Sequence, residues 1–161
     1  MSDPHDLARF LAAQDPDYAL ALAELRQGRK VSHWMWYIFP QAAGLGSSPM
    51  AVRFAIRSAA EARAYLDHPV LGDRLREAAA ALLAHPERTA AQIMGEIDAL
   101  KLRSSMTLFA EVADYPAPFR AVLNTFFANE ADARTLAWLQ DEGTAAASPP
   151  PGPTGAASPR E

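Results

Sequence analysis

The feature that most constrains this chain is an uncharged aromatic stretch at Ser32–Gln41, which reads SHWMWYIFPQ. Four of the seven residues between Ser32 and Pro40 carry a large aromatic ring, and none of the seven is acidic, lysine or arginine. Each such ring can remove roughly 150–250 Å² of surface from water when it is buried. We therefore expect the stretch to lie in the core, and the rest of the chain has to supply the elements that cover it.

The conformation of this stretch is ambiguous from its pattern, because it is apolar on every face whether it is wound as a helix or extended as a strand. A buried strand needs a partner, and only Val52–Ile56 resembles one. The segments on both sides have helical patterns. We therefore predict a short buried helix that is capped by Ser32 and ends before Pro40.

Helical periodicity and capping signals run through the rest of the chain. Asp6 is predicted to cap a first helix that breaks at Asp15-Pro16, and a second helix is predicted to end at Gly28. Further helices are predicted to begin at five start signals, which are Ser48-Pro49, Ser58, Thr89, Pro116 and Asp132.

The clearest amphipathic pattern is an apolar stripe with charged residues outside it, at Leu71, Leu75, Ala78 and Leu82. A chain of 161 residues has the length of one domain. We predict an all-α fold, a compact single-domain bundle of several helices over residues 6–141. Residues 142–161 are rich in Pro, Ala, Gly and Ser and contain no bulky apolar side chain, so they are predicted to form a disordered tail.

The charge of the chain argues against two classes of partner. The formal net charge is -4 and the pI about 5.5, whereas general nucleic-acid binders and anionic-membrane binders need a basic surface. No apolar run approaches the ~18 residues of a membrane span, and the N-terminus has no signal-peptide pattern. We expect no nucleic-acid partner, no membrane partner and a cytoplasmic location. The sequence does not determine the oligomeric state.

Metal and cofactor chemistry has little support in the sequence. The chain has no cysteine, which excludes disulfides, thiolate zinc sites and cysteine nucleophiles. Its four histidines are scattered without HxxxH or HxH spacing, so no metal site is predicted. Gly44-Leu45-Gly46 is an incomplete GxGxxG with no strand before it, although this loop leads to a helix start at Pro49 that could hold an anion. No cofactor is implied.

A second stretch, Asp98–Phe109 (DALKLRSSMTLF), places polar residues where apolar ones are expected. On a helical wheel, Asp98, Lys101 and Ser105 project from inside the apolar arc. Such conflicts between pattern and residue type tend to occur at functional or strained sites. The opposite, solvated face is predicted to carry Arg103, Thr107 and Glu111.

Two interpretations of these polar residues stay open. In the structural one, Asp98 pairs with Lys101 three residues later, the lysine extends its ammonium to water, and Ser105 bonds back to the carbonyl of Lys101. In the functional one, Lys101 and Ser105 line a pocket together with the aromatic stretch, and the lysine meets an anion there. A buried ammonium without a partner is costly, so some negative group is required.

Four segments of the sequence resemble a family known as domain of unknown function 1810 (DUF1810). They read KVSHWMWYIFPQAAGLGSSPMA, AYLDHPVLGDRLRE, DALKLRSSMTLF and, more loosely, DARTLAWL. The resemblance covers about Leu7–Leu139 and implies a compact all-helical domain without an assigned activity. The chain departs from the family pattern at Ile93–Ala99, where it lacks a proline. At the last two positions of this segment it has the single acid Asp98 where the family pattern has two, which weakens any acid-pair mechanism.

Our first functional hypothesis is a binding domain for an anionic small molecule, with a nucleotide-like molecule as one option. The tryptophans would stack on the ligand, the lysine would neutralise it, and neighbouring polar side chains would orient it. The candidate ligand-binding residues are His33, Trp34, Trp36, Gln41, Asp98, Lys101 and Ser105.

Two alternatives come from other classes. The first is a hydrolase or glycosidase acting on the same kind of ligand, with Asp98 or His33 as general base and Lys101 as electrostatic stabiliser. The second is a protein-interaction module without a pocket. A pocket that joins Trp36 to Lys101 would argue against the interaction module, and a perturbed acid or histidine inside it would favour the enzyme. The sequence does not decide whether the protein is an enzyme.

Overall fold

The computed structural model describes residues 2–147, with side chains for residues 2–142. Within that range the chain forms nine helices and no strand, in agreement with the all-α prediction. The helices are α1 (Ala8–Gln27), α2 (Met35–Ile38), α3 (Pro49–Arg53), α4 (Ala59–Asp67), α5 (Leu71–Leu83), α6 (Ala90–Met94), α7 (Glu96–Val112), α8 (Ala117–Phe127) and α9 (Ala133–Ala147).

Helix α7 is the central element of the domain, because α4, α6, α8 and α9 all pack against it. Its apolar arc is buried as the wheel predicts, with Leu102, Met106 and Phe109 fully covered. The predicted solvated face is partly wrong, because Thr107 is also fully buried. The α9 side of the domain covers that face: the Thr107 hydroxyl accepts a hydrogen bond from the backbone N–H of Asp132 at 2.9 Å.

Two predictions about the N-terminal helix α1 are wrong. It runs unbroken through Pro16, although an interior proline removes one backbone hydrogen bond and costs about 3 kcal/mol. Buried residues on both sides of the proline, among them Gln14 and Leu25, compensate for this cost. Asp6 is not the cap; the carboxylate of Asp3 accepts the backbone N–H groups of Leu7 and Ala8 at 2.8 and 3.0 Å.

The aromatic stretch contains the predicted buried helix, which ends before Pro40. The predicted cap is wrong: Trp34 precedes α2, and the hydroxyl of Ser32 donates to Glu24 instead. Two residues of the suspected strand, Val52 and Arg53, end the helix α3, and Phe54 and Ala55 follow the helix without regular structure. Only the last residue of the suspected strand, Ile56, makes a strand-like contact, an isolated parallel bridge to Ala42 just after the aromatic stretch.

The local signals elsewhere are confirmed. Gly28 ends α1 in a left-handed conformation with φ 80°, Ser48 and Ser58 accept capping hydrogen bonds, and Thr89 forms a complete capping box with Gln92. The predicted stripe is buried along α5 at Leu71, Leu75, Ala78 and Leu82.

The C-terminal boundary differs from the predicted one. Helix α9 continues to Ala147, past residue 142 where the tail was predicted to begin. The carboxylate of Glu142 accepts the backbone N–H of Ala59 at 3.0 Å, at the start of α4. The remainder of the predicted tail, residues 148–161, lies outside the described residues. None of the described helices has the length and apolar character that crossing a bilayer requires.

Candidate functional site

A cleft of about 300 Å³ lies along the first half of α7. Helix α7 contributes Ile97, Leu100, Lys101 and Ser104, which share one face because they recur at three- and four-residue spacing. The end of the aromatic stretch contributes Gln41, the loop that follows it contributes Leu45 and Gly46, and the start of α9 contributes Asp132 and Arg134. Three segments that are distant in sequence therefore meet at this cleft.

The cleft is cationic, although the chain as a whole is acidic. Lys101, Arg103 and Arg134 line it. Arg103 donates to two carbonyl oxygens, from Nε to Glu130 at 2.8 Å and from Nη2 to Ala131 at 3.0 Å. Its Nη2 also lies 3.6 Å from the carboxylate of Glu130, a loose ion pair. Arg134 is exposed and donates to the carbonyl of Gly44 at 3.5 Å.

The acid in the cleft, Asp132, is occupied as a helix cap. Its Oδ2 accepts the backbone N–H of Thr135 at 3.0 Å and the hydroxyl of Thr135 at 2.5 Å. These bonds satisfy donors at the start of α9. The carboxylate is therefore engaged in local structure, while the cations around it face a water-accessible space.

Trp36 sits beside the cleft rather than inside it. The Nζ of Lys101 lies 5.4 Å from the centre of the Trp36 ring, which is a cation–π distance. The two residues line a recess of about 10 Å³ that shares Gln41 and Gly46 with the cleft. This recess has room for about one water molecule. The ring therefore contacts the lysine in this conformation, and the recess between them is too small for a ligand to stack on the ring there.

Asp98 joins two lysines, and the nearer one is not the predicted partner. Its Oδ2 lies 3.0 Å from the Nζ of Lys30, whereas its Oδ1 lies 3.7 Å from the Nζ of Lys101. The predicted Asp98–Lys101 pair exists, but as the longer contact. The side chain of Lys30 is only 8% exposed.

Glu24 anchors the aromatic stretch and was missed by the sequence analysis. Its Oε1 accepts the backbone N–H groups of Val31 and Ser32 at 2.7 and 2.9 Å and the indole N–H of Trp34 at 2.9 Å, while Oε2 accepts the Ser32 hydroxyl at 2.6 Å. Burial raises the pKa of Glu24, but the hydrogen bonds from Ser32, Val31 and Trp34 outweigh it and lower the pKa to about 2. The group is an ionised structural carboxylate.

The predicted site residues divide between the cleft and other places. The structure brings Gln41 and Lys101 into the cleft, with Trp36 and Asp98 beside the lysine. It does not bring in the other three. His33 is exposed, Trp34 is buried against Glu24, and Ser105 is fully buried.

The proposed Ser105 back-bond is also wrong. The Oγ of Ser105 has no hydrogen-bond partner among the described residues, and the neighbouring Ser104 makes the bond of that type, donating to the carbonyl of Leu100 at 3.3 Å. Ser104, Arg103, Asp132 and Arg134 are cleft residues that the sequence analysis did not identify. A signal for the last two existed, because both lie in the segment DARTLAWL.

Three tyrosines outside the cleft have raised pKa values. Burial raises the pKa of Tyr18, Tyr37 and Tyr65, with hydrogen bonds to Glu77 and Asp17 adding to the shift of the first two. None of these groups lines the cleft. Residues 2–142 also contain no group of three or more His, Asp or Glu side chains placed to hold a metal ion.

Comparisons with known proteins give a family and a structural relative. A family model described as "Protein of unknown function (DUF1810)" matches residues 4–139. The chain is also similar to the crystal structure of the conserved hypothetical protein Rv1873 from Mycobacterium tuberculosis, at 49% sequence identity and a TM-score of 0.84. That similarity covers 86% of this chain and 99% of the other. A comparison with curated proteins gives no match.

Proposed function

The chain belongs to the DUF1810 family, and from the geometry of the cleft beside α7 we propose that it binds a small anionic molecule there. The observation that carries the proposal is the convergence of Lys101, Arg103 and Arg134 on one space of about 300 Å³ in a chain whose net charge is -4. Concave sites with a few convergent polar groups are the usual form of small-molecule sites.

Phosphate-bearing compounds suit this arrangement best. Arginine presents a planar fork of donors that matches phosphate and carboxylate oxygens, and lysine adds a compact point charge. Lys101 is 27% exposed and its nearest carboxylate oxygen is 3.7 Å away, so its ammonium can turn toward a ligand at small cost. Arg103 is pre-oriented by its bonds to Glu130 and Ala131, which reduces the ordering cost of binding.

The edge of the cleft suits a ligand with an apolar or aromatic body in addition to its anionic group. Ile97 and Leu100 line the cleft and are 72% and 65% exposed. The apolar body of a ligand would cover both side chains and remove their surface from water, which favours binding. A nucleotide combines a charged phosphate with a flat aromatic base whose faces pack against apolar side chains.

The hydrolase alternative has no comparable support. A hydrolase needs a general base with a tuned pKa beside the ligand, and the carboxylate in the cleft, Asp132, is occupied by Thr135. Neither of the two predicted bases lines the cleft: Asp98 pairs with Lys30 and Lys101, and His33 is exposed. We therefore propose binding alone and assign no reaction.

The two lysines of the chain make a direct test practical. Protein labelled with ¹³C at the lysine ε-carbon is titrated with AMP, glucose 6-phosphate and inorganic pyrophosphate, and with neutral adenosine as the uncharged comparison. We expect a saturable shift of the Lys101 signal with at least one of the anions, and no shift of the Lys30 signal. Each signal is assigned with the corresponding lysine-to-methionine variant.

Affinity measurements complete the test. Lys101→Met is expected to weaken binding of the responding anion by about 10- to 100-fold, the worth of a hydrogen bond to a charged group. Arg63→Met is the matched control. It also removes one positive charge, but Arg63 lies on α4 outside the cleft, in an exposed ion pair with Asp114. Equal effects of the two variants, or no response of Lys101 to any of the anions, would contradict the proposal.

A further inference from the structure

We propose that Lys30, which lies outside the cleft, is a positioning residue for the anion site: it holds the carboxylate of Asp98 and thereby keeps the charge of Lys101 available to a ligand. The inference rests on the proposed function of the cleft and adds a residue that does not line it. It follows from how one carboxylate is shared between the two lysines of the chain.

Asp98 contacts both lysines with different oxygens and at different distances. Its Oδ2 is 3.0 Å from Lys30, a hydrogen-bonded ion pair, and its Oδ1 is 3.7 Å from Lys101, a looser contact. A shorter and less exposed pair has the stronger electrostatic attraction. Asp98 therefore pairs mainly with Lys30.

Several contacts besides the pair with Asp98 hold the Lys30 side chain in one position. Its ammonium donates to the carbonyl of Ser32 at 2.5 Å and lies 5.0 Å from the centre of the Trp34 ring. Its backbone N–H donates to the carbonyl of Ile93 at 2.7 Å, just before α7 begins. The side chain is only 8% exposed. The position of this ammonium is thus built into the packing between the α1–α2 segment and the start of α7.

Lys101 is held far less firmly. It is 27% exposed, it lines the cleft, and its other close contact is the face of Trp36 at 5.4 Å. If Lys30 lost its charge, Asp98 would have Lys101 as its nearest cation, one turn along the same helix. A partly buried carboxylate without a partner is costly, so the Asp98–Lys101 pair would tighten and compete with a ligand anion for the same ammonium.

The test measures affinity for inorganic pyrophosphate at low ionic strength by titration calorimetry. Lys30→Met is expected to weaken binding about fivefold, the effect of one competing ion pair near the surface. Adding Asp98→Asn to this variant is expected to restore the affinity to at least the original value, because the competing carboxylate is gone. Arg29→Met, which removes an exposed charge next in sequence, is expected to change the affinity less than about twofold.

A second comparison does not depend on the folding of Lys30→Met. If Lys30 acts only through Asp98, then Asp98→Asn and Lys30→Met,Asp98→Asn bind pyrophosphate with affinities within about twofold of each other. A clear loss in the double variant relative to Asp98→Asn would mean that Lys30 acts on the ligand by itself, and would overturn the inference. Removing both members of a buried pair also leaves no stranded charge, so the double variant is expected to fold.

The outcomes separate this inference from the proposed function. If Lys101→Met binds pyrophosphate as well as the unmodified protein does, and the Lys101 signal responds to none of the three anions, the anion site itself is refuted. If Lys101→Met weakens binding but Lys30→Met does not, or if Asp98→Asn fails to restore it, only the positioning role of Lys30 is refuted. If Lys30 had only a structural role, Lys30→Met would lower the stability of the protein, and adding Asp98→Asn would not restore the affinity.

Discussion

Replacing Glu24 by glutamine tests whether one buried carboxylate holds the aromatic stretch in place. The change keeps the shape of the side chain and removes its charge. Three N–H groups, from Val31, Ser32 and Trp34, converge on a single carboxylate oxygen. Hydrogen bonds to a charged acceptor are about twice as strong as those to a neutral one, so the glutamine retains the contacts and loses part of their strength.

The magnitude follows from the pKa of Glu24, which falls from 4.5 to about 2 in the folded protein. A shift of this size corresponds to about 3 kcal/mol, because each pKa unit contributes about 1.4 kcal/mol. Solvent screening and the neutral bonds that glutamine keeps reduce the figure, so we expect Glu24→Gln to lower the free energy of unfolding by about 2–3 kcal/mol at pH 7.

The pH dependence has a definite sign. Because the folded pKa is lower than the unfolded one, the stabilisation is complete above pH 4.5 and is lost as the pH falls toward 2. The difference between the original protein and Glu24→Gln should therefore shrink to about 1 kcal/mol at pH 3. Above pH 6 the difference is expected to stay constant.

The assay is urea unfolding at pH 7 and pH 3, followed by tryptophan fluorescence and far-ultraviolet circular dichroism. Trp34 donates to Glu24, so the fluorescence reports on the affected region. The matched control is Glu87→Gln, an exposed glutamate whose replacement is expected to change the unfolding free energy by less than about 0.5 kcal/mol. A Glu24→Gln effect that is equally small, or that is the same at both pH values, would refute the reasoning.

Three further predictions concern stability and use the same unfolding assay. Lys101→Met is expected to lower the free energy of unfolding by about 0.5–1 kcal/mol and Lys30→Met by about 2–3 kcal/mol, because the Lys30 pair with Asp98 is shorter and more buried. The reverse order would contradict the assignment of Lys30 as the main partner of Asp98. Pro16→Ala, at an exposed position inside α1, should raise the unfolding free energy by about 1–2 kcal/mol by restoring a helical hydrogen bond, and a loss would show that the helix depends on the proline. Thr107→Val preserves volume but leaves the N–H at the start of α9 without its acceptor, so it should cost about 1–3 kcal/mol, whereas an unchanged midpoint would show that water replaces the hydroxyl.

The sequence by itself determined most of the helices of this domain. Capping boxes, helix-ending glycines and apolar stripes are local signals, since each depends on groups three or four residues apart. Thr89 with Gln92 and the stripe that begins at Leu71 lie where these signals predict. Where local preference and packing conflict, the tertiary structure decided: α1 passes through Pro16 because the buried surface on both sides outweighs one lost hydrogen bond.

The candidate site could be predicted only in part, because local signals reveal some of its residues and tertiary packing brings in the others. Lys101 was identifiable because it interrupts an apolar arc on its own helix. Its competition with Lys30 for Asp98 was not, since the two lysines lie 71 positions apart and only the packing of the α1–α2 segment on α7 brings them to one carboxylate. Arg134 likewise enters the cleft only because α9 folds back onto α7. Ion pairs between distant segments have no sequence period, so the charge and shape of the cleft are properties of the tertiary structure alone.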